Sequence, residues 1–158
     1  MTTGYISSTE FIKGAKESSL AKSESSDCVV RAIASATEME YDSAHQFVKD
    51  TFKRENGRGT FGFHYGMNML SKNKKTINGK KIKIVTEEHN TMLYYVMVKG
   101  VKTLRNTTTG SFIKRYPKGT YIVTVSRHAF TIKDGVVIGN IDDGEKMRKH
   151  IDGVWKIG

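Results

Sequence analysis

The order of its segments predicts an α+β fold: helix-forming stretches lead, strand-forming stretches follow, and no repeated β-α-β alternation joins them. Three observations carry this. An apolar run with helical spacing begins at Cys28, a second begins after Asp42, and β-branched runs separated by tight-turn residues fill residues 120–138.

Residues 7–21 place Phe11, Ile12 and Ala15 at helical spacing behind Thr9, a cap-forming residue, and predict a first helix or an N-terminal arm over residues 1–21. A polar stretch, residues 22–27, is too poor in apolar side chains to build core. It gives way abruptly to residues 28–36. Ser26 or Asp27 can cap a helix there, with Val29, Ala32, Ile33 and Ala36 on one face and Cys28 in the first turn. Asp42 can cap a second helix through Ala44, Phe47, Val48 and Phe52, which Asn56-Gly57 ends. Glycines 57, 59 and 62 mark a loop, residues 65–70 a short helix, Asn78-Gly79 a turn, and residues 81–85 a half-buried strand. Residues 90–104 fit helix and strand equally well. A short helix is expected from residues 107–110 through Tyr116, stopped by Pro117-Lys118-Gly119. Strands then follow at 120–125, 128–132 and 136–138, with Asp134-Gly135 as a hairpin turn, and a last strand at 153–157.

A chain of 158 residues with 37% hydrophobic residues and one proline suits one domain, residues 1–158, with a sizeable core, which excludes collagen-like and largely disordered classes. The single cysteine excludes an intrachain disulfide and a cysteine-cluster zinc site, and suits a reducing compartment. The N-terminus lacks the charged start and apolar run of a secretory signal. The longest apolar stretch, residues 92–98, falls far short of the roughly 20 residues that span a bilayer. The expectation is a soluble protein of the cytoplasm, with no membrane partner.

Cys28 is the most informative residue for chemistry. A thiol in the first turn of a helix meets the positive end of the helix dipole and unpaired backbone N–H groups, both of which favour the thiolate that a nucleophile needs. The alternative is an inert core cysteine beside a Val-Val run. A nucleophilic thiol also needs a base. Of His45, His64, His89, His128 and His150, only His128 opens an expected strand, where the sheet would fix its ring. Asn140 ends the next strand of the hairpin and is the first candidate to hold that ring, with Asp142 and Asp143 as competitors.

The run Ser26-Asp27-Cys28-Val29-Val30-Arg31-Ala32 resembles the nucleophile helix of papain-like cysteine peptidases, and residues 119–135 around His128 resemble their histidine hairpin. With Asn140 and the closing Val154-Trp155-Lys156-Ile157, the pattern is similar to small papain-like proteins of bacteriophages and bacteria. The resemblance covers residues 28–36 and 119–157 and leaves a variable middle segment, residues 58–104, unmatched. It implies a papain-like architecture, with the nucleophile helix of a helical N-terminal half packed on a C-terminal antiparallel sheet. It also implies a hydrolase or thiol protease that cleaves a peptide or isopeptide bond through Cys28, His128 and Asn140, acting in a host cytoplasm if the chain is viral. In that family a side-chain donor, often glutamine, stands about six residues before the nucleophile and completes the oxyanion hole. Lys22 holds that place here, so Ser23, Ser25 and Ser26 become the candidate donors. The fold also hosts acyltransferases, amidases and inactive binding proteins.

Neither a metal nor a cofactor is expected, since no paired cysteines, His-x-x-x-His or phosphate-loop motif occurs. The net charge of +10 supports a second expectation, a basic binding protein with an unused thiol site. Lys74, Lys75, Lys80, Lys81 and Lys83, with Lys99, Lys102 and Arg105, would face nucleic acid or an acidic protein, and Phe61, Phe63, Tyr65, Tyr94 and Tyr95 would stack on bases.

Overall fold

The structure, a computed structural model, describes residues 4–89, 96–98, 101–103 and 107–158. Its centre is a mixed seven-stranded sheet. The strands are β1 Tyr5–Ser7, β2 Thr76–Ile77, β3 Lys80–Ile84, β6 Thr120–Val125, β7 His128–Lys133, β8 Val136–Gly139 and β9 Gly153–Ile157, in the order β1-β8-β7-β6-β9-β3-β2. A separate ribbon pairs β4 Val96–Val98 with β5 Val101–Thr103. The remainder of the ambiguous section 90–104, with Tyr94, Tyr95, Lys99 and Arg105, lies outside the described residues.

The expected antiparallel sheet is corrected in one respect. Residues 5–7, expected in a helical arm, form β1 and join β8 in parallel, pairing Tyr5 with Val137 and Ser7 with Gly139. The rest of the arm forms two short helices, α1 Ser8–Phe11 and α2 Ser19–Ser23. The hairpin turns at Asn78-Gly79 and Asp134-Gly135 hold both residues at positive φ (50 and 77, 48 and 77), the left-handed pair that Asn-Gly and Asp-Gly accept at little cost.

Helix α3, Cys28–Thr37, buries Val29, Val30 and every residue from Ala32 to Thr37, because it lies between β7 and helix α4, Tyr41–Phe52. Its small side chains allow close approach to the sheet, and Thr131 Oγ1 on β7 donates to Ala32 O at 2.9 Å. Helix α4 ends at Phe52, earlier than expected, because Lys53 takes the left-handed cap position. Helix α5, Phe63–Lys72, covers the same face. There Trp155, fully buried, donates from Nε1 to Asn68 Oδ1 at 2.9 Å. Truncating a buried Trp to Ala costs about 3–5 kcal/mol. The opposite face buries Tyr121, Val123, Phe130, Ile132 and Val154 beneath Phe112 of helix α6, Thr109–Arg115. Strands β6 and β7 are therefore buried on both faces. Among the described residues no helix is long and apolar enough to cross a membrane.

Candidate active site

Cys28 and His128 meet at one end of the sheet. The β6–β7 hairpin turns through Ser126-Arg127, with Arg127 left-handed (φ 56), and delivers His128 opposite Val125 at the strand end. Helix α3, packed on β7, brings its first residue to the same edge. The Cys28 thiol and the His128 imidazole line the same cleft of about 650 Å³, and the sulfur is close enough to act on the imidazole's titration. Cys28 is half-buried.

The imidazole is gripped from its other side. His128 Nε2 lies 2.9 Å from Asp143 Oδ2. Burial alone would push the imidazole toward its neutral form. The hydrogen bonds to Asp143 and Cys28, and the charges behind them, outweigh it and push the pKa up to about 9. Asp143 is buried in the short helix α7, Ile141–Glu145, and its Oδ2 also accepts the Asn140 backbone N–H at 2.8 Å.

Asn140 therefore does not hold the ring. It is the cap residue of α7, and its main chain steadies the carboxylate that does. Asp142 is also corrected: it is exposed and accepts from Lys146 Nζ at 3.2 Å. The reason is local. After Gly139 the chain turns into a helix, which sends residue 143 back toward the sheet and residue 142 outward.

Ser23, Ser25 and Ser26 are exposed, and none lines the cleft. Ser23 Oγ donates to Leu20 O, and the Ser26 carbonyl accepts from Arg54 Nη2 at 3.4 Å. The helix that carries the thiol offers its own main-chain N–H groups, those of the first turn of α3. The first N–H bonded within the helix is that of Arg31, to Asp27 O at 3.0 Å, so the geometry of a helix start leaves those of residues 28–30 without a helical acceptor.

Two polar networks fix the segment that leads into Cys28. Asp27 Oδ2 accepts from Arg31 Nε at 2.9 Å and from Tyr41 OH at 2.6 Å, and Arg31 Nη1 reaches Ser8 Oγ and Thr9 Oγ1. Asp27 precedes the helix as expected, but its side chain is spent on Arg31 of α3 and Tyr41 of α4, not on a cap. Glu24, also buried, takes Arg54 Nη1 at 2.5 Å, His45 Nε2 at 3.0 Å and the Gly57 N–H at 2.6 Å. Burial would raise its pKa, but those three partners prevail and lower it. This cluster ties the segment before Cys28 to residues 53–62, whose end forms the facing wall of the cleft.

The sequence marks that wall, Gly59 to His64, only as a glycine loop and starts the short helix at residue 65, whereas α5 begins at Phe63. Phe61 stands 81% exposed at the rim, and Phe63 turns into the core. A base-stacking role for Phe63 is thus corrected. His64 Nε2 lies 2.8 Å from Thr124 Oγ1, and burial lowers its pKa. Gly153 must be glycine here, because a Cβ would overlap His64 and Trp155. Lys74, Lys75, Lys81 and Lys83 are exposed, none of them on the cleft, and Lys80 lies 3.9 Å from Glu38. Among the described residues no three His, Cys, Asp or Glu side chains could jointly hold a metal ion.

The arrangement can form a thiolate–imidazolium pair beside an open cleft with main-chain N–H donors at hand. Compared with protein-family models, with curated proteins and with solved structures, the chain finds no match.

Proposed function

We propose that this chain is a cysteine hydrolase of papain-like architecture that cleaves a peptide or isopeptide bond. The observation that carries the reading is His128, held at Nε2 by the buried Asp143 and lining the same open cleft as Cys28, whose sulfur acts on the imidazole. A cysteine sealed as packing would need neither an oriented imidazole nor a buried carboxylate behind it.

The reaction follows from the roles of these groups. The Cys28 thiolate attacks the carbonyl carbon, forming a C–S bond, and the N–H groups at the start of α3 take the charge on the oxygen. The C–N bond breaks, and the imidazolium of His128 gives its proton to the departing amine. Water then attacks the thioester, His128 receives its proton, and the thiolate leaves. Asp143 keeps the ring in place and stabilises its charged form without itself being protonated.

A thiol-directed alkylating probe tests this. Cys28 should react at pH 6 at least tenfold faster than free cysteine, and His128→Ala should remove that advantage. Reaction that rises only toward pH 8.5, with or without His128, would refute the proposal.

One observation favours the second reading, a basic binding protein. Lys83 on β3 sits directly opposite Lys156 on β9, both exposed, with no ion-pair partner for either among the described residues. Like charges in register destabilise a sheet unless an anion covers them. Strong salt-dependent binding of single-stranded nucleic acid that Lys83→Glu weakens, together with an inert Cys28, would select this reading.

A further inference from the structure

The cleft presents one carboxylate among its lining residues, Asp152. It lies immediately before β9, half-buried, with its backbone N–H fixed to Thr124 O at 2.8 Å. Its side chain has no hydrogen-bond or ion-pair partner among the described residues, in a chain where cations outnumber anions 26 to 16. The imidazole of His150 is the charge that acts on it, and burial is the larger influence. A partly desolvated carboxylate without a partner is costly to keep, and the cost is recovered when a cation enters.

Its surroundings suit a particular cation. Asp152 continues into Gly153, against which His64 lies, and His64 continues the wall that includes Phe61. A long aliphatic stem packs on such an aromatic rim while its charged end reaches a carboxylate. Of the cationic residues on the lining, His128 is paired with Asp143, and Arg127 is exposed in the β6–β7 turn and makes no ion pair with Asp152. His64, held by Thr124 with its pKa lowered by burial, brings no competing charge at neutral pH.

We infer that Asp152 determines specificity and that the substrate whose acyl group is transferred to Cys28 carries a basic side chain, lysine or arginine, beside the reacting carbonyl. This rests on the proposed hydrolase reading. The preference has to be local, because the net charge of +10 repels cations at long range.

Chloroacetamides of equal length, ending in an ammonium, a guanidinium, a methyl or a carboxylate group, test it by their rates of alkylating Cys28. The cationic reagents should react at least tenfold faster than the methyl reagent. In Asp152→Asn the two rates should converge, and in Asp152→Lys the carboxylate reagent should become the faster. Glu17→Gln, which removes a surface charge, should keep the wild-type ratio. Equal rates in the wild type, or a cationic preference that survives Asp152→Asn, would overturn the inference while leaving the hydrolase reading intact. If Cys28 reacts no faster than free cysteine with every reagent, the hydrolase reading itself fails.

Discussion

Asp143 and Gly139 share one volume: the carboxylate oxygen that receives His128 lies where a Cβ on Gly139 would stand. The glycine is at the end of β8, with no left-handed backbone to require it, so the need is space alone. Gly139→Ala should push the carboxylate away from the ring. Overpacking of this kind costs about 1–3 kcal/mol, and misplacing a group that orients the base by an ångström costs on the order of 10²-fold in rate. Thermal melting and the rate of Cys28 alkylation measured together check this. A folded variant with an unchanged alkylation rate would show that Asp143 does not set the ring.

The elements that place Cys28 and His128 were legible because each depends on local chemistry. The abrupt change from a polar stretch to an apolar run with helical spacing marks the start of α3, and Asp-Gly between β-branched runs makes the β7–β8 hairpin. The third residue was harder to read. Asn140 and Asp143 differ in reach only because the chain turns into a helix after Gly139, and a five-residue helix with glycine inside it leaves little periodic signal. Gly144 within it is needed because Tyr5 packs where its Cβ would stand, and Tyr5 OH donates to Gly139 O at 3.1 Å. That contact comes from β1, more than 130 residues away, in a segment whose spacing suggested a helix. The parallel pairing of β1 with β8 and the wall of Gly59 to His64 depend likewise on distant partners.

The pH dependence of the thiol site follows from His128. Its pKa is raised to about 9, so the imidazolium persists through neutral pH and is lost as pH rises through about 9. A reaction that needs the imidazolium to protonate a leaving amine should fall on that upper limb. Asp143→Asn removes the charge and one acceptor that raise the value, and should move the limb to lower pH by one unit or more. Hydrolysis rates measured from pH 6 to 10, in the wild type and the variant, give the two limbs. Coincident limbs would contradict the assignment.

Acid should destabilise the fold through the buried histidines. His89 is fully buried; burial and the neighbouring His64 lower its pKa to about 4, against the partial compensation of Val154 O, and burial also lowers that of His64. An unfolded chain binds these protons near pH 6.5, so the folded state binds fewer between 6.5 and 4. Their stabilising contribution is complete above pH 6.5 and is lost as pH falls toward 4, by about 3 kcal/mol for His89. His128 does not offset the loss, because its raised pKa gives its full contribution below pH 6.5 already. Urea midpoints at pH 7, 5.5 and 4.5 should fall in that order, and His89→Gln should flatten the decline.

Glu24 joins the segment before Cys28 to the facing wall, so its cluster is where stability and cleft shape are coupled. Removing one partner strands a buried charge. Arg54→Met leaves Glu24 with His45 and the Gly57 N–H, and should cost about 3–5 kcal/mol. Glu24→Leu in the Arg54→Met background removes the stranded carboxylate, so the double variant should be more stable than Arg54→Met alone. Its wall, no longer anchored through the Gly57 N–H, should sit less firmly against Cys28. The expected signature is a recovered urea midpoint with a slower reaction toward reagents that must span the cleft. Small reagents, which need only the thiol, should react at nearly the wild-type rate. Equal slowing for large and small reagents would place the effect on Cys28 itself, not on the wall.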